Sequence, residues 1–183
     1  MPSPEDVRPR QCPACRVASR PLGAGLRLHG HGLRLRWMLG PAEARGAPQM
    51  LTVACRRYLC LGCGAVVLVV PAAMLPRRWY SASAIALALA LYGLERQPPA
   101  AVRARTSPFK VVGYRAAAGW VTLRRWADAV RVGRLFPHVR PSPAHFTRRQ
   151  IAERAATTLG SRAPPPMDAP LWVRAFTGAA LVR

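Results

Sequence analysis

The sequence predicts an α+β chain: a small antiparallel β unit at the N-terminus, followed by an all-α region. Three observations carry this. Two Cys-x-x-Cys pairs, Cys12-Pro13-Ala14-Cys15 and Cys60-Leu61-Gly62-Cys63, bracket a stretch in which apolar and polar residues alternate. Alternation of that kind is the period of a half-buried strand. Beyond residue 80 the apolar residues recur at helical spacing, between proline and glycine stops. The expected division is a flexible lead-in over 1–10, a ribbon over 11–76, a helical region over 77–136, and a linker, short helix and Pro-rich tail over 137–183.

In the ribbon, Pro13 pre-sets the turn of the first Cys-x-x-Cys hook. Leu26–His29 and Leu33–Trp37 alternate as two strands, with Gly30-His31-Gly32 as the turn between them. Residues 40–48 read as a loop and Met50–Leu59 as a third strand entering the second hook. After Gly64 the β-branched run Ala65–Val70 leaves it and ends at Pro71. Paired Cys-x-x-Cys units supply the four soft ligands that a structural Zn²⁺ prefers in tetrahedral array. The other reading of these cysteines is as small buried hydrophobes. His29, His31 and Cys55 are spare ligand candidates. The two histidines otherwise serve as polar strand or turn residues, and Cys55 points into the small core.

Charge narrows the partners. With 28 basic residues against 7 acidic, the chain carries +21 and a pI near 11.8. Such a chain attracts polyanions, so nucleic acid is the leading partner and an anionic membrane surface the second. Lys110 is the only lysine, and the richness in Ala, Pro, Gly and Val matches GC-biased codons. That bias explains arginine in place of lysine, not the excess of base over acid. The apolar runs 65–75 and 82–94 are each shorter than the ~20 residues a bilayer-crossing helix needs. Pro71, Pro76 and Arg77-Arg78 keep them apart, so no membrane span is expected. The N-terminus, with Glu5, Asp6 and two prolines, lacks the form of a secretory signal. Together with metal-type cysteine spacing this points to the cytoplasm.

The helical region opens with the basic, aromatic connector Pro76–Tyr80. Ser81 or Ser83 caps a helix running through Ile85–Leu91, with Gly93 as its stop. Apolar on nearly every side, this helix should be central and buried. Pro98 or Pro99 starts a short helix through Arg105. Leu123, Trp126, Ala127 and Val130 then mark one apolar face of a second informative helix, leaving Thr122, Arg124, Arg125, Asp128 and Arg131 outside it. Thr147 and Gln150 form a capping box for a helix that ends at Gly160. Residues 171–183 are assigned no element, but Trp172 and Phe176 are spaced to dock on the helices.

A short helix followed by one with a basic outer face is the pattern of a helix-turn-helix, whose second helix reads base edges in the major groove. The other reading is a solvated arginine face on an ordinary helix. The order of parts resembles the zinc ribbon and helix-turn-helix that begin many bacterial insertion-sequence transposases and stand-alone transposase-like proteins. The resemblance is carried by Cys-Pro-x-Cys, Arg57-Tyr58-x-Cys60-x-x-Cys63-Gly64, Arg77-Arg78-Trp79-Tyr80-Ser81 and Thr122–Trp126, over about residues 12–132. It implies Cys12, Cys15, Cys60 and Cys63 as ligands of one structural Zn²⁺. It also implies the helix near 120–131 as the DNA reader.

The expected DNA contacts are Arg77, Arg78, Arg103, Arg105, Lys110, Arg115, Thr122, Arg124, Arg125 and Arg131. A transposase's phosphoryl transfer needs clustered carboxylates holding two metal ions. Here Glu5, Asp6, Glu43, Glu95, Asp128, Glu153 and Asp168 are scattered. No phosphate loop, nucleophile triad or His-Glu-x-x-His occurs, so a non-enzymatic duplex-DNA binder is expected. RNA is a second nucleic-acid partner, because basic patches with Trp and Tyr suit stacking on single strands. A zinc-ribbon adaptor that docks on an acidic protein and a degenerate transposase fragment are the alternatives.

Overall fold

Three strands and five helices are present in the computed structural model, which describes residues 3, 5–113, 119–165 and 168–181. In chain order they are β1 (Leu28–Pro41), β2 (Pro48–Cys60), β3 (Val66–Val69), α1 (Ala82–Gly93), α2 (Pro99–Thr106), α3 (Val121–Arg131), α4 (Arg148–Gly160) and α5 (Leu171–Ala180). The strands form one antiparallel sheet in the order β1-β2-β3, so the α+β class read from the sequence holds. The chain falls into two compact units, Met1–Trp37 with Thr52–Pro71, and Met38–Leu51 with Ala72–Arg183.

In the first unit β2 and β3 pair antiparallel, with Tyr58 opposite Val67 and Leu59 opposite Val66. The core is small: Cys12, Leu28, Tyr58 and Cys60 are fully buried, with Val7, Val17, Ala65, Val67 and Val69 packed around them. Two of those four are cysteines of the hooks. The expected turn at Gly30-His31-Gly32 is absent, and β1 runs straight through it. Gly32 takes φ +78 within the strand, a local irregularity that a glycine absorbs without reversing the chain. The expected loop over 40–48 is shorter at both ends, because β1 extends to Pro41 and β2 begins at Pro48. Cys55 is buried but lies outside this core cluster, contrary to expectation.

The second unit is a helical bundle built around α1. Eleven of its twelve residues are buried, as its all-round apolar sequence requires. Ser81 caps it by accepting from the Ala84 N–H at 3.0 Å. Helices α2, α3, α4 and α5 all pack on α1, and α4 packs on α5. The expected capping box of α4 is formed: Thr147 N–H donates to Gln150 Oε1 at 2.8 Å, and Gln150 N–H donates to Thr147 Oγ1 at 3.3 Å. The tail left unassigned in the sequence folds as α5, with Phe176 buried in the bundle and Trp172 packed against it.

Gly93 does not stop α1 by a left-handed turn. It is the last helical residue, and the next residue, Leu94, keeps right-handed geometry. Its value is its missing side chain. A Cβ there would lie 2.3 Å from the Glu153 backbone nitrogen, where α1 crosses α4. Gly178 plays the same part between α5 and α4, with Leu159 O only 2.0 Å from where a Cβ would stand. The helix axes approach so closely because glycine occupies the contact points.

Gly93→Ala is therefore expected to destabilise the protein by about 1–3 kcal/mol, as overpacking does, despite alanine's better helix propensity. Denaturant unfolding followed by helical circular dichroism checks this. A stabilised variant would refute the close-crossing account.

Candidate metal centre

The two hooks are built alike. In the first, the Arg16 N–H donates to Cys12 O at 2.9 Å and the Cys12 N–H donates to Val17 O at 2.9 Å. In the second, the Gly64 N–H donates to Cys60 O at 2.8 Å and the Cys60 N–H donates to Ala65 O at 2.9 Å. Each turn closes through a left-handed residue after its second cysteine, Arg16 at φ +63 and Gly64 at φ +71. Glycine takes that conformation freely, whereas a side chain there costs roughly 1–2 kcal/mol. The second hook has the better residue.

The hooks face each other. Cys12 Sγ lies 3.8 Å from Cys63 Sγ, and Cys15 Sγ lies 3.7 Å from Cys60 Sγ. All four sulfurs lie within 4.8 Å of one another, and all four thiols are free. Disulfide-bonded sulfurs would stand about 2.05 Å apart. A tetrahedron with metal–sulfur bonds of about 2.3 Å has sulfur–sulfur edges of about 3.8 Å. The cross-hook spacings match that edge, so the donor set fits a tetrahedral metal ion. Cys12 and Cys60 are buried while Cys15 and Cys63 face solvent.

Local hydrogen bonds bias the thiols. Backbone N–H groups of Cys15 and then Ala14 favour the Cys12 thiolate and bring its pKa down to about 7. At Cys63 the Ala65 N–H acts in the same direction, but Cys15, burial, Cys60 and Cys12 outweigh it together and push the thiol up to about 12. Four thiols this close cannot all ionise without a cation among them, and a metal that binds thiolates releases their protons. Metal retention must therefore weaken as pH falls. The spare candidates stay apart from this cluster. The His29 ring is hydrogen-bonded to Leu26 O at 2.9 Å, His31 is exposed, and burial raises the Cys55 thiol.

The expected nucleic-acid residues belong to a different unit and are not brought together in one constellation by their contacts. On α3, Leu123, Trp126, Ala127 and Val130 are buried, while Arg124 and Arg125 are exposed and Thr122 is half-buried. Tyr80, Trp120 and Trp126 interlock edge to face, with centroids 5.0–5.9 Å apart, and fix the start of α3. Arg131 is engaged, donating to Phe146 O at 2.7 Å. Arg105 lies over the Trp172 ring at 5.5 Å. Arg103 and Lys110 line an apolar cleft of about 520 Å³ beside α2. Arg77 is exposed with φ +56, and Arg78 is half-buried. Arg115 lies outside the described residues. The main packing partners of α3 are α4 and α1.

No known protein family, curated protein or solved structure matches this chain.

Two outcomes check the centre. Protein purified without chelators is expected to hold one metal ion per chain by elemental analysis, and Cys60→Ser to lose it; a metal-free, folded wild type would refute the assignment. Gly64→Ala is expected to cost about 1 kcal/mol of metal-loaded stability, because only its backbone conformation is at stake. Arg16→Gly should be neutral or stabilising by a similar amount, read as a shift in thermal midpoint.

Proposed function

We propose that this chain is a nucleic-acid-binding protein whose N-terminal unit is held by one structural Zn²⁺, with duplex DNA as the principal ligand. The observation that carries the metal half is the four-sulfur cluster, whose cross-hook spacings fit a tetrahedral thiolate site. A soft, all-thiolate tetrahedral set suits zinc among the common structural ions. With Leu28 and Tyr58 as its large fully buried side chains, the first unit gains roughly 1.5–3 kcal/mol from each. Ordering its backbone costs about 1–2 kcal/mol per residue. A metal supplies folding free energy that such a core lacks.

The DNA half rests on charge. The net +21 is little offset locally. The ion pairs among the described residues occupy Glu5, Asp128 and Glu153, and those carboxylates are thereby neutralised by arginines rather than gathered for catalysis. Arg124 and Arg125 project from α3 beside Thr122, on the side away from the buried stripe. In this reading they contact base edges while other arginines neutralise phosphates, and the resemblance to transposase N-terminal modules points the same way.

A second reading has one observation in its favour. Leu33, Leu35 and Trp37 are exposed along β1, an edge of the sheet, and an exposed edge with apolar side chains suits a protein partner. An adaptor role would place recognition in the first unit rather than on α3.

Duplex binding should fall with salt, with a slope of about −0.9 in log K per phosphate neutralised. Arg124→Ala with Arg125→Ala should weaken a specific site by at least about tenfold. A flat salt dependence would remove DNA as a ligand. Unchanged affinity of the double variant would remove α3 as the reader. Capture of an acidic protein through β1 without any duplex binding would favour the adaptor.

A further inference from the structure

A second group of arginines in the second unit gathers along α4, apart from those on α3. A cleft of about 940 Å³ runs beside this helix from Thr147 at its cap to Arg162 beyond its end. By helical rise that is about 20 Å. Arg96, His138, Arg140, Arg149, Arg154 and Arg162 line it, against Glu153 as its one carboxylate. Two of the arginines are already engaged. Arg96 pairs with Glu153 at 2.9 Å, and Arg149 donates to Tyr92 O at 3.0 Å while lying 4.4 Å over the Tyr92 ring. Arg140, Arg154 and Arg162 form no ion pair with a described acid. His138 Nε2 is buried and has no hydrogen-bond partner among the described residues.

Like charges gathered in a concave wall repel one another in the free protein and focus the field on an incoming anion. Guanidinium groups bind phosphate oxygens through paired N–H donors. Thr157, Thr158 and Ser161 add hydroxyls along the same wall. Those hydroxyls already donate to backbone carbonyls of the helix, Thr158 to Arg154 O at 2.9 Å for example. They therefore contribute polarity rather than donors, and recognition falls to the arginines. One phosphate is met by one or two guanidinium groups. Arg154 and Arg162 stand eight residues apart, about 12 Å by helical rise, and Arg140 lines the same cleft from outside the helix, so the three together suit more than one phosphate.

We propose that the α4 cleft is a binding site for closely spaced phosphate groups, with Arg140, Arg154 and Arg162 as its recognition residues. A nucleic-acid backbone and a free polyphosphate share this chemistry. The cleft is lined by no residue of the metal centre or of α3, so its variants can be told apart from those that test the reading above.

The test uses the full-length, metal-loaded chain and two probes, inorganic tripolyphosphate and an oligothymidylate, titrated at about 150 mM salt, where diffuse surface attraction is screened. Arg140→Gln, Arg154→Gln and Arg162→Gln are combined in one variant. A charge-matched control combines Arg10→Gln, Arg27→Gln and Arg34→Gln, all exposed in the first unit. The cleft variant is expected to lose at least about tenfold in affinity for whichever probe binds, with its salt slope reduced by more than one, and the control to change little. Saturable binding of tripolyphosphate that displaces the oligonucleotide identifies a free polyphosphate as sufficient. Binding of the oligonucleotide alone identifies the phosphodiester backbone. Should the triple variant lose its helical circular dichroism, Arg154→Gln alone, at a partly exposed position, carries the same comparison. Equal losses in cleft and control variants, or no saturable binding of either probe by the wild type, would overturn the proposal.

Discussion

Everything in the second unit depends on how closely other helices can approach α1. That helix is saturated with alanine and leucine and buried on nearly every side, so its neighbours pack directly on it. Gly93 provides the contact with α4, and Gly178 lets α5 close on α4 in turn. Dispersion and desolvation reward such closeness only while no extra carbon intrudes. The aromatic trio of Tyr80, Trp120 and Trp126 then seats the start of α3, and Tyr80 is tied further by its hydroxyl donating to Ser107 Oγ at 2.8 Å. The basic side of α3 has a fixed bearing because its apolar side is locked.

The first unit solves the same problem differently. Its described residues include no helix, and its sheet covers only a handful of apolar side chains. What organises it is the repeated backbone pattern of the two hooks, in which a left-handed residue turns the chain and two N–H···O bonds close each loop. Two such turns set face to face bring four sulfurs to metal-binding range. At the second hook the fold and the donor set are one feature, since the turn that points Cys60 and Cys63 also joins β2 to β3.

Local chemistry was legible in the sequence, and long-range geometry less so. The cysteine spacing announced the hooks because two thiols two residues apart fit one tight turn. Thr147 and Gln150 announced the start of α4 because capping is decided within four residues. The stripe of Leu123, Trp126, Ala127 and Val130 announced the buried side of α3. Gly32 and Gly93 were harder. A glycine signals a turn, a stop or a close approach by the same letter, and only its neighbours in space tell which. Gly93 was read as a stop, and α1 does end there, but without a left-handed turn and with a second role as a contact point; Gly32 was read as a turn and sits inside a strand. The α4 cleft escaped notice because Arg96, Arg140 and Arg162 lie far apart along the chain and gather only on folding. Helix α5 escaped because its start lacks a side-chain cap, and packing rather than propensity holds it.

The glycine crossings have a further consequence for how this protein can change over time. A Cβ added at Gly93 or Gly178 would meet backbone at 2.3 or 2.0 Å, so those crossings tolerate no larger residue. Arg149 is tied to Tyr92 of α1, but Arg140, Arg154 and Arg162 of the cleft form no ion pair with a described acid, and Arg124 and Arg125 of α3 are exposed. Their number and position can drift, accumulate or be pruned without the fold registering the difference. Scaffold and charge are therefore separable traits, and a lineage could exchange one polyanionic partner for another while keeping every helix where it is.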